Sequence, residues 1–301
     1  MISVLFGAGA SNGSESQNIK TPPLGKDLFS ELDRLGGYFN KLSNELKCVF
    51  LENGFESGML EVPNDSRIIN PLQNELAAYL SSFTPTINSA YVELFEKIAE
   101  INKINLITLN YDLLIEISLE LCNTYGNHRN RLSPPLLKLH GSSNFIPDIP
   151  IESIKIKAFD CGGFFESSDI KILKQQEVGA WCTKTKEDFS PVMCMYDKNK
   201  KMVICGSYLT RAKKTYRDLI EKSNLIIIIG TKYIPHDKHV WDVILLNRKK
   251  RVVIIDPYPD SRFKSLILSK NMKNDVIEKS FKDSVDDIAK IINFESRKRS
   301  V

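Results

Sequence analysis

Apolar residues along this chain come in short unbroken runs that end on glycine or on small polar residues. Ile2–Phe6 runs into Gly7-Ala8-Gly9-Ala10-Ser11, residues 104–109 into Asn110, residues 136–139 into His140, and Leu225–Ile229 into Gly230-Thr231. Such runs lack polar alternation, which predicts strands buried on both faces of a parallel sheet. Further strands are predicted over Arg251–Ile255 and, more weakly, over residues 202–205. Between them the apolar spacing turns helical. Leu24, Leu28, Leu32 and Leu35 mark a helix that stops at Gly36-Gly37, and similar patterns cover residues 38–52, 71–82 and 89–100. Residues 111–122 (Leu113, Leu114, Ile117 and Leu121 apolar), 209–222, 237–247 and 285–293 read the same way.

Strands alternating with helices, and a glycine-rich turn after the first strand, predict an α/β Rossmann-like parallel sheet. The expected organisation is one domain over residues 1–301. Its sheet core covers about residues 1–12, 101–142 and 202–295, with a helical insert over about 24–100 and a small irregular insertion over about 143–201.

Composition narrows the classes. The 42% hydrophobic and 26% charged content is that of an ordinary globular protein. The longest apolar run is too short to span a bilayer. No basic segment with an apolar core precedes the first strand, so a cytoplasmic location is expected, with no membrane association. A net charge of +4 is too small to argue for direct nucleic-acid binding. The local basic runs, Arg248 to Arg251 and Arg297 to Arg299, read as solvated surface. Six cysteines without a C-x-x-C pair read as reduced thiols, mostly buried, rather than as zinc ligands.

Chemistry concentrates at the strand ends. Two glycines after a strand let the backbone approach a ligand closely, and the N–H groups that follow can bond phosphate or ribose oxygens. Asp256 ends the strand one strand–helix–strand unit after Gly230. It either holds ribose hydroxyls, as acidic residues do at such strand ends, or caps the helix after Pro257-Tyr258-Pro259. His140 ends a strand and is followed by Gly141-Ser142-Ser143-Asn144, which suits a general base, although a lone histidine also serves as ordinary core. Asn110 and Asp112 either bind a polar ligand or start the next helix. His236 and His239 could pair as metal ligands, but no third ligand is evident, and helix capping by Asp237 is the better reading.

In order, spacing and strand context the set over about residues 1–260 resembles the sirtuin family. Gly7 to Ser11 is similar to its phosphate-binding turn, Thr108-Leu109-Asn110-Tyr111-Asp112 to its nicotinamide-ribose motif, His140-Gly141 to its catalytic His-Gly, and Gly230-Thr231 to its Gly-Thr-Ser motif. The departures are informative too. The C-x-x-C pairs of the family's zinc ribbon are missing, and residues 12–25 hold neither Phe nor Arg. Leu109 stands for the family's Gln, Lys232 for Ser and Asp256 for Asn. With Pro23 to Leu28 these changes resemble the divergent sirtuin-like proteins of bacterial anti-phage defence.

That resemblance implies NAD as substrate, no metal, and hydrolysis of the nicotinamide–ribose bond rather than deacylation. It implies Gly7, Ala8, Gly9 and Ser11 at the pyrophosphate, with Thr231 closing beside Gly230. Asn110 and Asp112 orient the nicotinamide ribose, Asp256 the other ribose, and His140 acts as base. An NAD hydrolase must be gated, and residues 260–301 are read as one helix and a basic tail, so control is expected from a homo-oligomer or from a sensor such as a HerA-type hexameric ATPase. The competing expectations are an NAD or ADP-ribose sensor without turnover, and a protein deacylase or ADP-ribosyltransferase.

Overall fold

The computed structural model describes residues 1–16, 18–63, 65–126, 132–149, 167, 169–194, 205–235, 237–246, 250–269 and 273–298. Strand β1 (Ile2–Phe6) and the short helix α1 (Ala8–Asn12) open the chain. Helices α2 (Gly25–Arg34), α3 (Asn44–Asn53), α4 (Phe55–Glu61), α5 (Ser66–Ser81) and α6 (Ala90–Lys97) follow before strand β2 (Ile104–Thr108). Then come helix α7 (Leu114–Tyr125), strands β3 (Leu136–Lys138), β4 (Phe145–Pro147) and β5 (Ile170–Ile172), and helices α8 (Gln175–Thr185) and α9 (Gly206–Lys222). Strand β6 (Leu225–Ile229), helix α10 (Lys238–Leu245), strand β7 (Arg251–Ile255), helix α11 (Ser261–Ser269), strand β8 (Lys273–Ile277) and helix α12 (Val285–Arg297) complete it.

Six strands form one parallel sheet in the order β3-β2-β1-β6-β7-β8. The order reverses between β1 and β6, and in open α/β sheets ligands bind at the carboxyl ends of the strands at such a reversal. Register is uniform: Val4 lies beside Leu106 on one side and Ile227 on the other.

Both faces are covered, as the unbroken apolar runs require. Val4, Phe6, Ile227 and Ile229 point into one core, shared with buried residues of α2 to α7 and α12. Leu5, Ile226 and Ile228 point the opposite way, into a core shared with α9, α10 and α11. The period of two along β1 and β6 therefore sorts the same strand into two layers.

Local sequence sets several boundaries. Ser43 and Ser89 cap α3 and α6, each accepting a hydrogen bond from a backbone N–H three residues on, at 3.3 and 3.2 Å. The helix expected from residue 111 begins instead at Leu114, because Asp112 turns its carboxylate back to accept the Leu114 N–H at 3.1 Å.

The segment expected to be irregular after residue 143 carries an antiparallel pair, β4 with β5, and the helix α8. Buried Asn70 and Asn74 of α5 tie down the end of that segment by donating to the carbonyls of Lys186, Glu187, Asp188 and Phe189. Beyond Asp256, where one helix was expected, the chain also builds α11 and the edge strand β8. Most of the strand expected over residues 202–205 lies outside the described residues. Among the described residues no helix is long and apolar enough to cross a membrane.

Candidate functional site at the carboxyl rim of the sheet

The turns after β1 and β6 meet backbone to backbone. Gly7 N–H donates to the Ile229 carbonyl at 3.0 Å, and Gly9 N–H to the Gly230 carbonyl at 2.8 Å. A Cβ at Gly9 would stand 2.9 Å from the Gly230 Cα, so glycine is needed for one turn to approach the other. The N–H groups of Gly7 and Gly9 themselves are thus engaged by the end of β6 and the turn after it. Exposed Ala8 lies between them, while Gly9 is half-buried.

Asn110, at the end of β2, bridges into the same turn. Its Nδ2 donates to the Gly7 carbonyl at 2.8 Å and to Ser11 Oγ at 2.9 Å. Ser11 Oγ in turn donates to Asp112 Oδ2 at 2.8 Å and lies 3.2 Å from the Tyr91 hydroxyl. Asn110 and Asp112, expected at the nicotinamide ribose, and Ser11, expected at the pyrophosphate, are thus one hydrogen-bonded network at the ends of β1 and β2. Among the described residues nothing donates to the Asn110 Oδ1, which leaves a half-buried acceptor at the rim able to take a ligand hydroxyl. Burial pushes the Asp112 carboxyl above the usual carboxylate range, against the opposing pull of Lys138, Ser11 and the Leu114 N–H.

Lys138 underlies this network. It is 3% exposed, and its ammonium donates to the Asp112 carbonyl and, at 2.8 Å, to Glu116 Oε1. Nothing in the sequence marked this residue, since a lysine in a strand reads as an edge position.

His140 follows β3 and is 5% exposed. Its carbonyl accepts the Cys194 N–H at 2.7 Å, and Gly141 takes a φ of 85°, which turns the chain sharply after it. The His140 Nε2 lies 3.0 Å from the Nε2 of half-buried His239, on the first turn of α10. The sequence had weighed His239 with His236 as metal ligands and preferred helix capping by Asp237; His236 lies outside the described residues. The signal that could have found the pairing is topological: β3 and the loop into α10 end at the same rim. Asp237 does stand at the N-cap of α10, yet its side chain makes no cap hydrogen bond, contrary to expectation.

Thr231 bonds back to its own strand, its Oγ1 donating to the Ile229 carbonyl at 3.2 Å. Asp256 ends β7, and its Oδ1 accepts the Tyr258 N–H at 2.8 Å. Asp256 therefore does not cap the helix that follows, α11, where Asp260 Oδ1 accepts the Phe263 N–H at 2.9 Å, and Oδ2 of half-buried Asp256 remains as an acceptor at the rim among the described residues. No group of three or more His, Cys, Asp or Glu among the described residues is placed to hold a metal ion. Cys122, Cys182, Cys194 and Cys205 are buried and Cys48 is exposed, all as free thiols.

No protein-family model matches the chain, and no curated protein does. Solved structures do. A Sir2 homologue mutant in complex with 2′-O-acetyl ADP ribose is 16% identical, with a TM-score of 0.55 over 98% of this chain and 92% of that one. A Sir2 homologue mutant bound to ADP ribose is 17% identical, with a TM-score of 0.51 over 98% and 93%. A structure solved for the mechanism and regulation of Sir2 enzymes is 12% identical, with a TM-score of 0.52 over 97% and 92%. The fold is accordingly α/β, a six-stranded parallel sheet of the sirtuin type.

Proposed function

We propose that the chain is an NAD glycohydrolase that cleaves the bond between nicotinamide and ribose. The observation that carries this reading is the joining of Asn110, Ser11 and Asp112 in one network beside the reversal of strand order, with His140 ending a strand of the same rim. Further support comes from the fold, shared with Sir2 homologues solved with ADP ribose.

Water attacks the anomeric carbon of the ribose, the C–N bond breaks, and its electron pair leaves with neutral nicotinamide. The proton lost by the water passes to His140 and then to solvent. Such a reaction goes through an oxocarbenium-like state, so positioning and polar stabilisation carry most of the catalysis. Asn110 offers its free oxygen to a ribose hydroxyl, and Ser11 and Asp112 hold it in place. Ala8 and the turn around Gly9 line the pyrophosphate end with Gly230 and Thr231, and Asp256 accepts from the second ribose.

In the cell this activity serves as an anti-phage effector that depletes NAD in the cytoplasm. It is gated by self-assembly or by a sensor subunit of the HerA-type hexameric ATPase class. The test is chromatography of products after incubation with NAD, with and without an acetyl-lysine peptide. Nicotinamide and ADP-ribose without peptide are expected. Strict dependence on the peptide, or O-acetyl-ADP-ribose as product, overturns the reading in favour of deacylation, and binding without turnover overturns it in favour of a sensor.

A further inference from the structure

We infer that His239 is the positioning residue of the site, holding the His140 ring through a bond between their Nε2 atoms. This rests on His140 being the base of the proposed reaction. The two nitrogens lie 3.0 Å apart, across 99 residues of sequence, with ring planes inclined by 50°. A neutral imidazole carries one N–H and one lone pair, so at this separation one ring donates and the other accepts. The bond ties the orientation of one ring to that of the other.

Packing fixes both ends of the contact. Leu139 and Val240, the neighbours of the two histidines, are fully buried in the same core between sheet and helices. The His140 backbone is held by the Cys194 N–H on its other side. The turn after β6 thereby reaches the base on β3, across two intervening strands.

The experiment uses the full chain with histidine-selective nitrogen isotope labelling, compared with His239→Ala and His239→Gln. A glutamine amide can stand where the His239 Nε2 stands and can donate or accept, but it cannot ionise. The wild-type spectrum is expected to show a ring N–H proton at the His140–His239 pair protected from solvent exchange, and His239→Ala to lose it. In NAD hydrolysis His239→Ala is expected to lower kcat about 10²-fold with KM unchanged, the scale of loss when a catalytic group is misplaced. His239→Gln is expected to recover most of that loss. Absence of the protected proton in the wild type, an unchanged kcat in His239→Ala, or a folded His239→Gln as slow as His239→Ala overturns the proposal. If the full chain hydrolyses no NAD, the reading of the reaction fails, and the protected proton alone decides the role of His239.

Discussion

Gly230 and Gly9 lie backbone against backbone, so closely that a Cβ on Gly230 would stand 2.4 Å from the Gly9 carbonyl carbon and 2.2 Å from the Ala10 nitrogen. Gly230 also has a φ of 58°, a left-handed conformation that costs other residues about 1–2 kcal/mol. The two turns at the reversal of strand order are therefore locked by glycine on both sides. Gly230→Ala is expected to lose more than this conformational cost, because one turn must also move. Denaturant unfolding checks it, and a variant as stable as the wild type would show that the turns are not in contact.

His140→Ala and Asn110→Ala separate function from fold. His140 is 5% exposed and Asn110 half-buried, so the histidine truncation leaves the larger space. Asn110→Ala is expected to cost no more than about 2 kcal/mol, in the range of a few lost hydrogen bonds, and His140→Ala about 2–4 kcal/mol with the space of the ring added. Turnover of NAD should fall about 10²–10⁴-fold in His140→Ala, the contribution of a general base. More than a tenth of wild-type turnover in that variant would remove His140 from the role.

Most of the sheet was legible because its strands are buried on both faces, which forces runs such as Leu225–Ile229 to be apolar throughout. Strand β8 escaped for the opposite reason. Lys273–Ile277 is an edge strand with exposed and half-buried positions, so its pattern carries little apolar signal. Helix α8 escaped because only Val178 and Cys182 of it are buried. At the site, strand ends pointed to Asn110, Asp112 and His140. The glycines were read as making room for a ligand; what the local pattern did not show is that Gly9 and Gly230 also make room for each other's turn. Pairings such as His140 with His239 depend on distance in space, which no local pattern encodes.

Asp112 gives a pH test with a definite sign. Burial raises its folded pKa above the unfolded value, so in the acid range between the two the native state keeps a proton that the unfolded chain has lost. Stability contributed by this group is present at low pH and is lost as pH rises through that interval. Asp112→Asn cannot titrate. The wild type is thus expected to lose ground to Asp112→Asn as pH rises from strongly acid towards neutral, measured as the difference between their melting temperatures. A difference that grows in favour of the wild type over that range would mean that Asp112 is stabilised as the anion.

Lys138 and Glu116 should behave as a coupled pair beneath the site. The Lys138 ammonium is buried and donates to Glu116 Oε1 at 2.8 Å, while the buried Glu116 Oε2 has no hydrogen-bond partner among the described residues. Replacing the lysine alone leaves the half-buried Glu116 carboxylate without its partner and strips the Asp112 carbonyl of its donor. Breaking fully buried pairs costs about 3–5 kcal/mol, and the Glu116 side chain is 29% exposed, so Lys138→Met is expected to cost rather less, about 2–3 kcal/mol. Glu116→Gln added to it removes the stranded charge and should restore part of the loss. Denaturant unfolding of the two single variants and the double variant measures the coupling, expected at about 1–2 kcal/mol for groups in direct contact. Additive losses would show that the ion pair contributes nothing beyond its separate contacts, and that the Asp112 turn is held by the Lys138 donor bond alone.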